Sequence, residues 1–175
     1  MSENLHWSSR TQDESLLTSE QIRHALGHFA SGVTIVTSLS PEGEPVGTTA
    51  SAVSSLSLDP PLLLVCLART SATLAVLRAH RAFAVSVLAA DQRDLSAHFA
   101  RSANAASWSA ISSRAGASGL PLLDGAVATL ECELERCIGA GDHEIVVGRL
   151  RDLEVAASDL EPLLHFRGAY ASLSA

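Results

Sequence analysis

The sequence contains no lysine: all 12 of its basic residues are arginine, set against 19 Asp and Glu. A net charge of -7 argues against a nucleic-acid or anionic-membrane surface, which needs clustered positive charge. The use of arginine alone reads first as genome composition, and only weakly as a preference for bidentate anion contacts. No apolar run approaches the roughly 20 residues that span a bilayer. The opening MSENLHWSSRTQDES has no apolar core of the kind an export signal carries. Cys66, Cys132 and Cys137 make no CxxC pair and leave an odd one over, which suits buried thiols in a reducing cytoplasm rather than a disulfide or zinc framework. GxGxxG, P-loop and GxSxG patterns are all missing, so a Rossmann fold, a phosphate loop and a serine-hydrolase elbow are set aside.

What remains is a chain of 175 residues, 47% hydrophobic and 18% charged. That is one soluble globular domain, long enough to bury about 70% of its unfolded surface. Residues 1–17 read as a flexible N-terminal arm and 18–175 as the domain. Thr18 and Gln21 make a capping box, and Ile22, Ala25, Leu26 and Phe29 follow at helical spacing until Gly32. Val33–Ser38 and Pro45–Ser54 read as a hairpin about the Pro41-Glu42-Gly43 turn. LLLVCL at 62–67 reads as a strand buried on both faces. A short helix capped at Thr70 or Ser71 follows, with Leu74 and Leu77 inward, then a strand over Phe83–Leu88. Asp91 and Asp94 open a helix carrying Leu95 and Phe99 on one face. Residues 101–119 form a long loop. Two long strands then meet at Gly139-Ala140-Gly141-Asp142, and PLLHFRGAYASL adds one short strand. Strands outnumber helices without βαβ alternation, so the expected architecture is a small antiparallel barrel with short flanking helices.

The stretch GTTASAVSSLSLDPP, residues 47–61, is small, hydroxyl-rich and nearly uncharged. Ser and Thr compete with a helical backbone, so a strand fits better. Asp59-Pro60-Pro61 ends its pairing, because proline has no donor and keeps its predecessor extended. One reading is a solvated sheet edge. The other adds Ser71 and Thr73, at a helix start with free amides, as a phosphate site. A polar strand for an aromatic head and a helix start for a phosphate together describe a cradle for flavin mononucleotide.

Among the histidines, His143 follows a glycine-rich turn and opens a strand, with Asp142 and Glu144 beside it. It is read either as a structural residue or as one that contacts a nicotinamide or supplies a proton. His98 precedes Phe99 at a helix end and could border a ligand, while His6 and His80 read as solvated. His24 and His28 stand i, i+4, but no carboxylate or cysteine completes a metal set. Glu131, Glu133 and Glu135 alternate along one strand and read as a solvated face.

HALGHFASGVTIVT, GTTASAVSSLSLDPPLLLVCL, RTSATLAVLRAHRAFAVSVLAADQRDLSAHFA, GLPLLDGAVATLEC, GDHEIVVGRL and PLLHFRGAY together resemble the flavin reductase family, the small partner of two-component flavin monooxygenases. They fall in the family's order and span Ile22 to Tyr170. The resemblance implies a mainly β, antiparallel Greek-key split barrel acting as a cytoplasmic homodimer. It implies FMN or FAD as flavin, NADH or NADPH as co-substrate, and a separate monooxygenase that receives reduced flavin. By position, Val46, Gly47, Thr48, Thr49, Ala50, Ser51 and Ala52 meet the flavin ring and ribityl chain. Cys66, Leu67 and Ala68 line the same cleft, Ser71, Ala72 and Thr73 match the phosphate segment, and His98 and Phe99 close over the flavin. His143, Arg167 and Tyr170 match nicotinamide positions, with His143 the residue nearest the chemistry. The phosphate segment often carries arginine where this chain has Ala72, leaving Arg69 as its substitute. The loop after residue 100 offers Trp108 as its one aromatic. Two other readings keep the fold: an enzyme that retains its flavin and acts on a small metabolite, and a flavin-binding module without turnover.

Overall fold

A computed structural model describes residues 17–101, 108–157 and 159–173. Three helices and twelve strands are assigned among them: α1 (Ser19–Leu26), β1 (Ser31–Gly32), β2 (Thr34–Leu39), β3 (Pro45–Ala50), β4 (Val53–Leu58), β5 (Pro61–Ala68), α2 (Ala72–His80), β6 (Ala82–Val87), α3 (Arg93–Arg101), β7 (Ser113–Ala115), β8 (Pro121–Leu123), β9 (Ala128–Ala140), β10 (His143–Val155), β11 (Leu164–Phe166) and β12 (Ala169–Ala171). Seven strands form an antiparallel sheet in the order β3-β2-β6-β9-β10-β5-β4.

The two edge strands of that sheet are consecutive in sequence. Only Ser51 and Ala52 separate β3 from β4, so Ala50 and Val53 stand at most about 11 Å apart. A seven-stranded sheet can meet that limit only by curling until its edges converge. Its inner face then forms one core, to which Val36, Ala50, Val65, Val85, Leu134 and Val146 contribute from six different strands. No ladder joins β3 to β4, so the barrel is split along that seam.

Local chemistry explains the best-defined helix. Ser71 caps α2 by accepting the Leu74 amide, and Leu74 and Leu77 drop into the barrel core. α1 carries the expected capping box, with Gln21 N donating to Thr18 Oγ1 at 3.2 Å and Thr18 N donating to Gln21 Oε1 at 2.9 Å. Its end differs from expectation. Gly27, and not Gly32, terminates it, with the Gly27 amide bonded to Arg23 O at 2.9 Å. None of its residues is buried, and Leu26 and Phe29 are 69% and 81% exposed.

Four further expectations need correction. The hydroxyl stretch is not one strand: pairing with β2 ends at Ala50, and pairing with β5 starts at Val53. β5 is buried on one face only, through Leu63, Val65 and Leu67, while Leu62, Leu64 and Cys66 are half-buried. Strands covered on both faces are instead β2 and β6, which lie between the barrel core and outer layers. Ile35 joins Phe99, Trp108 and Leu163 in one such layer, and Ala84 joins Leu120 and Leu122 in the other. The tail makes a hairpin, β11–β12, turning at Arg167-Gly168 with both residues at positive φ, as a tight two-residue turn requires.

The carboxylates of β9 also divide. Glu133 and Glu135 are exposed and pair with Arg151 and Arg149, the latter contact being 3.1 Å. Glu131 is buried and accepts the amides of Ala117 and Ser118 at 2.7 and 2.8 Å, pinning the loop before β8. Burial, reinforced by the charge of Glu131, pushes the neighbouring Cys132 thiol up to about 12. The arm expected over residues 1–17 falls outside the described residues except for Leu17, as does the 102–107 portion of the long loop.

A candidate ligand cleft at the barrel seam

The seam between β3 and β4 leaves the backbone of Ser51 and Ala52 outside either strand, and both residues are exposed. The Ala52 carbonyl accepts the Cys66 amide at 2.9 Å, which draws the seam against the end of β5. The turn after β5 is fixed by Ser71 N bonded to Ala68 O at 2.9 Å, so α2 starts at the same place. The β9–β10 hairpin closes the remaining side, because Arg69 N bonds to Asp142 O at 3.0 Å and His143 lies opposite Ala68 in the ladder.

These contacts bring ten residues around an open cleft of about 270 Å³: Thr48, Thr49, Ala50, Ser51, Ala52, Cys66, Leu67, Ala68, Ser71 and His143. Its wall is backbone, small apolar groups, hydroxyls and the His143 imidazole, with no carboxylate or arginine among the described residues. The first amides of α2 have no intrahelical acceptor by helix geometry, and the Ser71 hydroxyl is held only by a long 3.4 Å bond from Leu74 N. Thr73, in the same first turn, is fully buried, and its hydroxyl has no hydrogen-bond partner among the described residues.

His143 is half exposed, and its Nδ1 lies 2.8 Å from Asp142 Oδ1. That hydrogen bond and the imidazole's charge hold the Asp142 carboxyl below its ordinary value. An ionised carboxylate only accepts, so Nδ1 carries the proton and Nε2 is left free beside the cleft. Glu144, the other carboxylate neighbour, is buried and pairs with Arg78 on α2. It takes no part in orienting the ring.

A second cleft of about 300 Å³ continues from the first across Thr48, Thr49 and Ser51, and is completed by Val33, Ser96, Ala100, His165 and Tyr170. Tyr170 and His143 therefore face two adjoining compartments with a common hydroxyl wall. Arg167 stands elsewhere, in a surface pocket with Glu20, Arg23 and His24 on α1. Val46, Gly47 and Phe99 are buried and line neither cleft. A Cβ on Gly47 would come within 2.9 Å of the Phe99 ring and 3.2 Å of Trp108, so the glycine admits an aromatic pair whose centroids are 5.0 Å apart. That packing puts Phe99 and Trp108 in the core. His98 is half-buried, and it and the exposed Ala72 also lie outside the lining. Arg69 lies across the face of Gly139, its Nη2 standing 2.6 Å from where a Cβ would be, and it too is absent from the wall.

Ser96 and His165 line the second cleft and were not singled out in the sequence reading. Nothing near Ser96 in sequence marks it, since its partners come from β3 and β12. No group of three or more His, Cys, Asp or Glu suited to a metal occurs among the described residues, and no helix there is long and apolar enough to cross a membrane.

Residues 26–174 match the profile of the flavin reductase like domain family. A probable flavin reductase of Rhizobium meliloti (strain 1021) is 42% identical over 149 residues, covering 85% of this chain and 47% of the relative. The chain thus spans about half the length of that protein. FMN reductase (NADH) SmoA of Agrobacterium fabrum is 39% identical, over 89% of this chain and 87% of the relative. Among solved structures, a homologue of nitrilotriacetate monooxygenase component B from Mycobacterium thermoresistibile superimposes with a TM-score of 0.84 at 34% identity, covering 89% of this chain and 86% of that one.

Proposed function

From the premise that the chain belongs to the flavin reductase-like family, we propose that it is an NAD(P)H:flavin oxidoreductase that supplies reduced flavin to a separate monooxygenase. The observation that carries this reading is the seam cleft, where an uncharged hydroxyl-and-backbone wall meets a helix start and a single imidazole. Relatives named as an FMN reductase (NADH) and as the reductase component of a flavin-dependent trigonelline monooxygenase support the same activity.

The residues fit a flavin. The α2 amides with Ser71 suit its phosphate, and behind them the Thr73 hydroxyl, buried in that turn and outside the cleft lining, is a donor without an acceptor among the described residues. Thr48 to Ala52 and Cys66 to Ala68 offer small side chains and seam backbone to a flat ring. A bound flavin supplies an acceptor for the hydride of a reduced nicotinamide. The chain's own work is to align and to exclude. No nucleophile is needed, and holding the two rings in contact removes most of the entropic barrier. Asp142 fixes the His143 ring so that Nε2 faces the nicotinamide side, and Tyr170 closes the adjoining compartment. Without arginine among the described residues of the cleft wall, the phosphate has one fewer charged partner, which suits a flavin that leaves after reduction.

The active unit in this reading is a homodimer. An apolar trough of about 880 Å³ adjoins the cleft and is lined by Leu26, Phe29, Val53, Leu64 and Cys66 among others. A second copy of the chain covers it and completes the site.

The test is NADH oxidation with free FMN, FAD or riboflavin added to flavin-stripped protein. Saturable dependence on added flavin supports release as proposed. A tightly retained flavin that turns over only with a small metabolite favours the flavin-retaining alternative, and binding without oxidation favours a non-catalytic module.

A further inference from the structure

Tyr170 is the chain's one tyrosine, and α3 holds it in two ways. Its hydroxyl lies 2.9 Å from Ser96 Oγ, and the Arg93 guanidinium carbon lies 5.0 Å from its ring centroid. Arg93 and Ser96 stand i, i+3, so one face of α3 grips both the tip and the plane of the ring. Ser96 is 1% exposed, and its carbonyl accepts the Thr49 hydroxyl at 2.7 Å. A single buried residue therefore ties the wall shared by both clefts to the aromatic that closes the second.

We propose that Ser96, assisted by Arg93, is a positioning residue that fixes Tyr170 relative to the Thr48–Ser51 wall and so sets the width of the nicotinamide compartment. The inference rests on the reading of Tyr170 as a nicotinamide contact. The body of the ring packs against the outer core layer and edge-on to His165, with centroids 6.1 Å apart, whereas its hydroxyl tip is held by Ser96. Loss of the Ser96 hydroxyl leaves the ring held by packing alone with its tip unanchored, and the compartment is then less well preformed when the dinucleotide arrives.

The test uses Ser96→Ala, Tyr170→Phe, the double variant and Tyr170→Ala, each in the full-length protein. Ser96→Ala and Tyr170→Phe should each raise the KM for NADH by about 2–10-fold, the worth of one hydrogen bond. Flavin Kd and kcat should stay within about twofold. The double variant should be no worse than either single one, because both changes delete the same bond. Protein labelled at the tyrosine ζ-carbon gives one resonance, and Ser96→Ala should shift it in the absence of any ligand. A KM raised by Tyr170→Ala but unmoved by Ser96→Ala overturns the positioning role alone. A KM unmoved by Tyr170→Ala overturns both that role and the assignment of Tyr170. Multiplicative losses in the double variant, or a lowered Tm as the only consequence of Ser96→Ala, also overturn the proposal.

Discussion

α1 and α2 are alike in sequence logic and opposite in fate. Both are short, hydroxyl-capped and amphipathic, and both end in a basic last turn. α2 sinks Leu74 and Leu77 into the barrel core, whereas α1 buries nothing and leaves Leu26 and Phe29 facing out. Capping and periodicity decide that a helix forms. Where its apolar face goes depends on what else is present, and among the described residues nothing covers that of α1. The two helices also flank the site differently. α2 presents its N-terminal amides to the cleft, while α1 borders the trough assigned to a second copy.

The largest expected contrast is in stability. Leu77→Ala, at a fully buried position, should cost about 2–5 kcal/mol of unfolding free energy. Leu26→Ala should change the stability of the isolated subunit by less than about 0.5 kcal/mol, yet lower the apparent mass in sedimentation by weakening the dimer. Equal losses at both positions would mean that α1 packs as α2 does. Chemical denaturation beside sedimentation on the same variants separates the two outcomes.

A smaller effect tests what the α2 start does. Ser71→Ala combined with Thr73→Ala should weaken FMN by about 1–3 kcal/mol, with riboflavin nearly indifferent because it has no phosphate. Thr73 is fully buried and Ser71 caps α2, so the double change should also lower the stability of the flavin-free protein by about 1–3 kcal/mol, and the difference between FMN and riboflavin is what reports the phosphate. Equal weakening of both flavins would remove the phosphate from α2.

The smallest effect concerns pH. His143 depresses the Asp142 carboxyl, so their contact is complete above the ordinary carboxylate range and is lost only as pH falls through the depressed value. Between about pH 5 and 8 the KM for NADH should therefore show no step from Asp142, and Asp142→Asn should raise it by about two- to fivefold at every pH in that window. A KM left unchanged by Asp142→Asn across that window would show that the Asp142–His143 contact does not position the ring.

α2 and its cap were legible because the signals are local: Ser71, Leu74 and Leu77 fix both start and face. The long β9–β10 hairpin was legible too, although its strands run on to Ala140 and His143 and leave only Gly141-Asp142 to turn. The break at Ser51-Ala52 was not, since no proline or glycine marks it. Closure of the barrel imposes it from strands far away in sequence. Phe29 misled in a similar way, because its helical spacing from Ile22 and Leu26 continues past the cap at Gly27. In the site, the hydroxyl run, the helix start and His143 stood out by chemistry, and the resemblance added Cys66, Leu67 and Ala68. Phe99 lay in a matching motif but packs beneath Gly47. Ser96 escaped notice because its partner Tyr170 is 74 positions away.

The most direct measurement is anaerobic stopped-flow mixing of the protein–FMN complex with NADH, unlabelled or carrying deuterium at the transferring C4 position. The account predicts single-exponential loss of the oxidised flavin's visible absorbance, slower by several-fold with deuterium on the transferring face and slower again in His143→Ala, with flavin affinity unchanged. An absorbance that persists while NADH is bound, or a decay indifferent to the isotope and to His143, would contradict direct hydride transfer in the seam cleft.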